Sequence, residues 1–323
     1  MATLITGASG FVGLALTEHL LAQGQRVVGF DLALPPDRAQ QLFSSLPGSY
    51  EAIQGDVRDS ESLTQALRRC GVDALVALAA ITADAERERR APHSIFDVNV
   101  GGVLSAVSAA AVCGVKRILL GSSGSVYGTT GNCPARLDEL SSQLRPEGLY
   151  GISKMAAELA ALRLAELHGL HVVVGRLGTC FGPWEAATGV RDTLSAPLQV
   201  LQLAREGRAA VLPREGRRDW LYVRDAAAAL AALLAATSLQ TPIYNLAAGF
   251  EWTIAQWCEK VAKWHPDFTW HLARPGETAN VSYYADYDRS SLSIDRLLAD
   301  TPFTPRFDLA AAAADFRLWD ANA

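Results

Sequence analysis

The stretch from Ala2 to Asp31 constrains this chain more than any other. Ala2-Thr-Leu-Ile-Thr6 reads as a buried strand. Gly7-Ala-Ser-Gly10-Phe11-Val12-Gly13 then opens an amphipathic helix that ends near Gly24, and Arg26-Val-Val-Gly-Phe-Asp31 is a second strand. Each glycine has its own use: one permits the tight bend, one lets backbone approach a bound phosphate, and one lets helix and strand pack closely. The spacing is GxxGxxG, not the commoner GxGxxG. Its weight comes from its place between a strand and a helix, with an acid ending the next strand. Such a βαβ unit binds a dinucleotide, with the pyrophosphate at the exposed amides of the helix. Asp31 is placed to accept hydrogen bonds from ribose hydroxyls and to repel a 2′-phosphate, which favours NAD over NADP.

Strands and helices go on alternating. Tyr50 to Gln54 is a strand, and in the turn Gly55-Asp56-Val57-Arg58-Asp59 the Asp56 carboxylate is expected to face an adenine amino group. Ala74 to Ala80 is a buried strand, Asn99 opens a helix running to about Cys113, and Arg117 to Leu120 is a strand leading into Gly121-Ser122-Ser123-Gly124-Ser125-Val126-Tyr127-Gly128. A further helix runs to about Leu167, where Gly169 closes it, and His171 to Arg176 is a strand. This alternation predicts an α/β fold: a Rossmann-type doubly wound parallel sheet with ligands at the carboxyl ends of its strands. Past residue 180 the texture changes, and all seven tryptophans lie there, as bulk for a small core or, for one or two of them, as pocket walls. The expected division is an NAD-binding domain over 1–180, to which 217–247 returns, and a smaller C-terminal substrate lobe from 181–216 and 248–323. Trp220 to Val223 and the alanine-rich helix after Asp225 are the returning elements, and Asp308 to Trp319 is the last helix.

A net charge of −5 argues against a nucleic-acid partner, and the basic cluster Arg87, Arg89 and Arg90 is interleaved with Glu86 and Glu88 as on a solvated face. Five scattered cysteines without CxxC spacing read as reduced cytosolic thiols. His168 and His171 have no partners at metal-ligand spacing, so no metal site is expected. A strand-like run begins at once, leaving no room for a signal peptide, and the apolar run Ala226 to Ala236 is too short to span a bilayer. A cytoplasmic protein with a small-molecule partner is expected.

The chemistry centres on Tyr150-Gly-Ile-Ser-Lys154 at the start of the helix that Gly169 closes. Residues four apart share a helix face, so the phenol and the ammonium can converge on one point. A phenol is a poor base near neutrality, and a fixed cation beside it favours the phenolate. Tyr150 is thus a candidate acid/base for the proton of a sugar or alcohol oxygen.

Taken in order, these residues resemble the extended branch of the short-chain dehydrogenase/reductases, the nucleotide-sugar epimerase/dehydratase group. The match runs through Gly7, Gly10 and Gly13; Asp31; Asp56-Val57; Leu78-Ala79-Ala80; Asn99; Ser122 to Gly128; Tyr150 with Lys154; Arg176 through Pro183; Arg218-Asp219-Trp220; and Arg274-Pro-Gly-Glu277. The resemblance implies NAD as cofactor, held by Gly7 to Gly13 with Phe11 and Val12, by Asp31, Asp56, Val57, Leu78, Ala79, Ala80, Asn99 and Ser122, and by Tyr150, Lys154 and Arg176. It implies that Ser123 hydrogen-bonds the reacting hydroxyl beside Tyr150 while Lys154 contacts the nicotinamide ribose. By analogy it also implies a homodimer paired through the Asn99 and Tyr150 helices.

Departures narrow the reaction. Sugar dehydratases of this family carry an Asp-Glu pair where Gly124 and Ser125 stand, and decarboxylating relatives place a Glu at Ser125, so neither reaction has its acid here. Two substrate readings stay open. In the first, Arg218 and Arg274 clamp the diphosphate of a nucleotide sugar and the enzyme is a 4-epimerase that regenerates NAD in each cycle. In the second, Arg145 to Lys154 and Arg176 to Phe181 resemble uronate dehydrogenases, Thr179 stands where epimerases hold an Asn, and Arg191 clamps the carboxylate of a free sugar acid. A third possibility, an NAD-binding module without catalysis, sits poorly with an intact Tyr150 and Lys154.

Overall fold

The computed structural model describes residues 1–283 and 285–321. Its first six strands, β1 (Ala2–Thr6), β2 (Arg26–Asp31), β3 (Ser49–Gln54), β4 (Ala74–Ala77), β5 (Arg117–Ser123) and β6 (His171–Leu177), lie in one parallel sheet. β7 (Cys180–Phe181), β8 (Ala210–Leu212), β9 (Arg217–Arg218) and β10 (Leu221–Tyr222) lie outside it. β11 (Ile243–Leu246) then returns to pair with β6, Ile243 opposite Val174 and Leu246 opposite Leu177. The order β11-β6-β5-β4-β1-β2-β3 reverses between β1 and β4, and a doubly wound sheet opens its ligand crevice at such a point.

Helices cover both faces. On one side lie α1 (Phe11–Ala22) and, beside β3, α2 (Asp37–Ser44); on the other lie α3 (Ser60–Cys70) and, after the short α4 (Ala85–Arg90) and α5 (Pro92–Phe96), α6 (Gly102–Cys113) and α7 (Leu149–His168). Leu63, Leu67, Val103, Val107, Ala157 and Ala161 seal the second face. The C-terminal lobe uses α8 (Ala196–Arg205), and α9 (Val223–Ala235) comes back onto α1. The lobe continues through β12 (Trp252–Thr253), α10 (Ile254–Ala262), β13 (Trp270–Leu272), α11 (Asp295–Asp300) and α12 (Leu309–Ala321).

Several local expectations are corrected. α1 buries eight of its twelve residues because it is sandwiched between the sheet and α9, so it is not amphipathic. β4 ends at Ala77, three residues early, because the chain then runs against the glycine turn: a Cβ on Gly7 would lie 2.6 Å from the Ala79 nitrogen. Asn99 does not open a helix but sits in a π-turn, Asp97–Gly101, between α5 and α6. Leu221–Tyr222 pairs with β7 rather than the main sheet, and Val223 already belongs to α9, while the strand that does join the sheet, β11, carries no sequence signal beyond four residues. Pro92–Cys113 has the length and hydropathy, 1.7, of a bilayer span. In the fold, α6 buries Val103, Ala106, Val107 and Ala110 against the sheet side instead. In the lobe, Trp220, Trp252 and Trp257 pack with Phe181 and Phe316 as core, Phe181 meeting Trp252 and Trp257 edge-on at 5.3 and 5.6 Å.

Candidate active site

Two cavities run along the carboxyl edge of the sheet and share Gly7, Gly10, Leu78, Ala80, Ala186, Thr188 and Val190 as common wall. The larger, about 800 Å³, is bordered by Asp31, Asp56 and Val57 and, from later segments, by Trp184, Phe316 and Trp319. The smaller, about 220 Å³, holds Ser122, Ser123, Ser125, Tyr150, Lys154, Thr179, Arg191 and Arg218.

The glycine turn is shaped for close approach of a ligand. Gly7 has φ +72°, and a Cβ on Gly13 would lie 2.1 Å from the Gly7 carbonyl oxygen. Gly10 caps α1 with no side chain, so no side-chain cap covers the first amides of the helix, and Gly10 to Gly13 line the smaller cavity. Asp31 Oδ2 accepts from the Ser9 amide at 2.9 Å, and burial raises its pKa against the pull of that bond. Asp56 borders the larger cavity and is ion-paired with Arg58 at 2.5 Å, a partner that keeps its carboxyl below the usual range. Val57 is buried and packs on Gly102, where a Cβ would come 2.7 Å from its Cγ1. This cradle and its acid fit a dinucleotide with an unphosphorylated ribose.

Gly148 precedes α7, Tyr150 lies in its first turn and Lys154 in its second. Lys154 is buried and donates from Nζ to the Gly121 carbonyl in β5 at 2.8 Å. Burial pushes its pKa down to about 8, with Glu158 opposing. Burial raises the Tyr150 phenol above its ordinary value, while the Ser123 hydroxyl, the Arg191 charge and the Thr82 hydroxyl pull it back. The helix face does bring Tyr150 and Lys154 to one cavity, but the ammonium is engaged with Gly121, and Ser123, Arg191 and Thr82 are the groups that draw the phenol down. Ser123 accepts from the Ser125 amide at 3.1 Å, and its hydroxyl lies 3.1 Å from that of Ser125.

Three expected ligands stand elsewhere. Arg176 is 2% exposed, and its guanidinium is committed to Glu158 at 2.7 Å and to the Tyr127 hydroxyl at 3.0 Å, so it braces the core behind the cleft. Asn99 is wholly buried; it accepts from the Ile81 amide and donates to the Ile81 carbonyl and Ser153, so it acts by holding the chain beyond β4. Arg274 is exposed in the turn after β13, its amide bonded to Glu277, and borders neither cavity. Arg218, by contrast, is buried, donates to Thr179 Oγ1 at 3.1 Å and lies over Trp220. Ser122 borders the cavity but turns its hydroxyl to Glu158.

A strap spanning residues 182–195 crosses the cleft. The Thr82 amide donates to the Val190 carbonyl at 2.8 Å, and the Asp192 amide to the Thr82 carbonyl at 3.1 Å. Arg87 grips both Asp192 oxygens at 2.6 Å, and the Trp184 indole, held at φ +71°, donates to Glu18 at 2.7 Å. Arg191 thereby enters the smaller cavity, bonded to the buried Glu185 at 2.8 Å and lying over Phe11. Thr82, Cys180 and Arg289 also border this cavity and were not expected there; no sequence motif marks Thr82 or Arg289, and Cys180 lies within the Arg176 to Phe181 run without a role. Burial pushes the Cys180 thiol up to about 12, so it stays neutral. Lys154, Arg191, Arg218 and Arg289 give the cavity four cations, and no Asp or Glu is among its described lining residues.

Comparison with known proteins accords with this geometry. Residues 3–247 match the NAD dependent epimerase/dehydratase family. A UDP-glucose 4-epimerase of Streptomyces lividans is 30% identical over 237 residues, 70% of this chain and 69% of the relative. A dTDP-L-rhamnose 4-epimerase of Burkholderia thailandensis is 25% identical over 99% of this chain and 94% of its own. Among solved structures, the Thermus thermophilus UDP-glucose 4-epimerase complex with NAD superposes with a TM-score of 0.79 at 27% identity, covering 98% of this chain and 99% of that one. With its Rossmann-type sheet, glycine cradle and Tyr150–Lys154 cleft, this chain belongs to the NAD-dependent epimerase/dehydratase family of enzymes, with NAD as its cofactor.

Proposed function

We propose that this enzyme carries out hydride transfer at a secondary hydroxyl carbon of an anionic sugar, acting as a nucleotide-sugar 4-epimerase with Tyr150 as its acid/base. The observation that carries the anionic substrate is the cavity beside Tyr150, with four cations and no acid among its described lining residues. Bound NAD supplies the hydride acceptor that also gives the hydride back. Tyr150 takes the proton of the reacting hydroxyl and returns it; the Ser123 hydroxyl and the Arg191 charge favour the phenolate against its burial. Ser123, fixed by the Ser125 amide, orients the reacting oxygen. Arg218, braced by Thr179, binds the anionic part of the substrate. The nucleotide-sugar form is supported by relatives that act on such sugars and by a likeness to a UDP-glucose 4-epimerase that extends through the C-terminal lobe.

A second reading, oxidation of a free sugar acid, is favoured by one specific arrangement. Arg191 stands in the cavity close enough to act on the Tyr150 phenol, while Arg274, half of the expected diphosphate clamp, lies outside it. One assay separates the two: purified enzyme with excess NAD is given UDP-glucose, UDP-glucuronate, glucuronate or galacturonate, and NADH absorbance is followed while products are separated. An epimeric UDP-sugar without net NADH is the expected result. Steady NADH from a free uronate would replace it with the sugar-acid dehydrogenase.

A further inference from the structure

Trp319, near the end of α12, is where the last helix of the chain meets the Rossmann half. Its indole is half-buried and borders the larger cavity but not the smaller one. Arg38 of α2 holds it twice: the guanidinium lies 3.7 Å over the indole ring and donates to the Trp319 carbonyl at 3.1 Å. Trp184 meets the same indole edge-on at 4.4 Å and reaches Phe43 of α2 at 6.3 Å. Trp319 is therefore tied to the helix that follows Asp31, as well as to its own lobe.

The order of groups along the cavity points to what would lie against it. In a site of this kind the first amides of α1 take the pyrophosphate and the acid ending β2 takes the adenosine ribose. The base then extends past Asp31, away from Tyr150. On that side the cavity is bordered by Leu32 and Leu34, each 55% exposed, and by Arg38, Trp184 and Trp319. Two leucines left open to water thus border the same space as two indoles. A purine has the flat, largely apolar faces that fit between such walls. Arg38 adds a planar cation, which packs well on π surfaces.

We propose that Trp319 is a cofactor-binding residue: with Arg38 and Trp184 it covers the adenine of bound NAD, so that the C-terminal helix completes the dinucleotide site. This goes beyond the hydride-transfer reading and stands whichever sugar is the substrate. The test is calorimetric titration of the enzyme, freed of cofactor, with NAD and with ADP-ribose, which keeps the adenosine and both phosphates and lacks the nicotinamide. Wild type is compared with Trp319→Ala, Trp319→Phe and Arg38→Met. Trp319→Ala is expected to weaken both ligands by the same factor, at least about tenfold, and Trp319→Phe by no more than about threefold, with Arg38→Met in between. Hydrogen exchange of wild type adds a readout that needs no variant: residues 309–321 should exchange more slowly with ADP-ribose bound, while α10 in the same lobe does not change. Unchanged affinity in Trp319→Ala overturns the proposal. So does loss of NAD affinity with ADP-ribose affinity intact, because the indole would then serve the nicotinamide end. Weaker binding by Trp319→Ala with no change in the exchange of 309–321 in wild type also overturns it, since the substitution would then act through packing of the lobe. Should Trp319→Ala fail to fold, Arg38→Met and the exchange experiment carry the test. No turnover is read, so failure here leaves the hydride-transfer reading to its own assay, and failure there leaves this cover standing.

Discussion

Lys154 is where the proposed catalysis and the stability of the fold pull apart most clearly. Its ammonium is buried with one carbonyl partner, and burial has brought its pKa down to about 8. Below pH 8 the lysine is charged in both folded and unfolded chains, and the fold bears the full cost of burying that charge. As pH rises through 8 the folded form sheds its proton first, while the unfolded lysine keeps it to about pH 10.4, so the unfolded state binds more protons and stability climbs across that window. Lys154→Met keeps the stem and removes the charge. The ligand-free variant is expected to be ~1–3 kcal/mol more stable than wild type at pH 7, with the gap closing between pH 8 and 10.4. Its turnover should fall by at least about 100-fold. Urea unfolding at several pH values decides the matter: a variant less stable at pH 7 would mean that the bond to Gly121 outweighs the burial cost.

The helix that carries Tyr150 is held by a polar network that joins Ser122, Tyr127 and Arg176 of the sequence motifs to Glu158 and Asn245, which no motif marks. Glu158, one turn beyond Lys154 in α7, takes the Arg176 guanidinium of β6 and the Ser122 hydroxyl of β5. Arg176 also reaches Tyr127, whose hydroxyl donates to Asn245 in β11 at 2.8 Å. Arg176→Met leaves Glu158 buried without its cation, and such a loss costs about 3–5 kcal/mol. We expect that loss in urea unfolding, with NAD affinity of the folded protein within about threefold of wild type. The reverse pattern, intact stability with lost NAD binding, would return Arg176 to the cofactor ligands. What the sequence made legible here was local. Gly7, Gly13, Asp31, Tyr150 and Lys154 declare themselves because each belongs to a short motif whose spacing is read locally, although Asp31 and Lys154 find their partners at Ser9 and Gly121. Glu158 with Arg176, Thr82 with Arg191, and Arg38 with Trp319 meet only after the chain has crossed the sheet or looped back, and periodicity carries no sign of such pairs. β11 was missed for the same reason, since four residues leave too short a pattern to read.

At the scale of the molecule, the C-terminal segments close over the larger cavity. The larger cavity has Asp31 and Val57 on the sheet side, and on the other side Trp184 and Val190 of the strap with Phe316 and Trp319 of α12. These two covers touch, Trp184 and Trp319 at 4.4 Å, and Arg38 joins them to the Rossmann half by lying 3.7 Å over Trp319. The strap's firmest anchor is Arg87 to Asp192, a bidentate, mostly buried pair. A charged hydrogen bond of this kind contributes about 1.5–3 kcal/mol. If the strap must lift before NAD leaves, that energy belongs to the barrier for release, and both Arg87→Ala and Asp192→Ala should speed cofactor release by at least about tenfold. The double variant should exceed the faster single one by only a few-fold, because the shared pair is lost in each and what remains is the Arg87 bond to the Gly189 carbonyl or the Asp84 amide bond to Asp192. Stopped-flow fluorescence of NADH displaced by excess NAD measures the rate directly. Equal rates in all four proteins would mean that the cofactor leaves by another path. The wild-type rate also bears on the substrate, since an epimerase that recycles its cofactor can keep the strap shut through many turnovers, whereas a sugar-acid dehydrogenase must open it in each one.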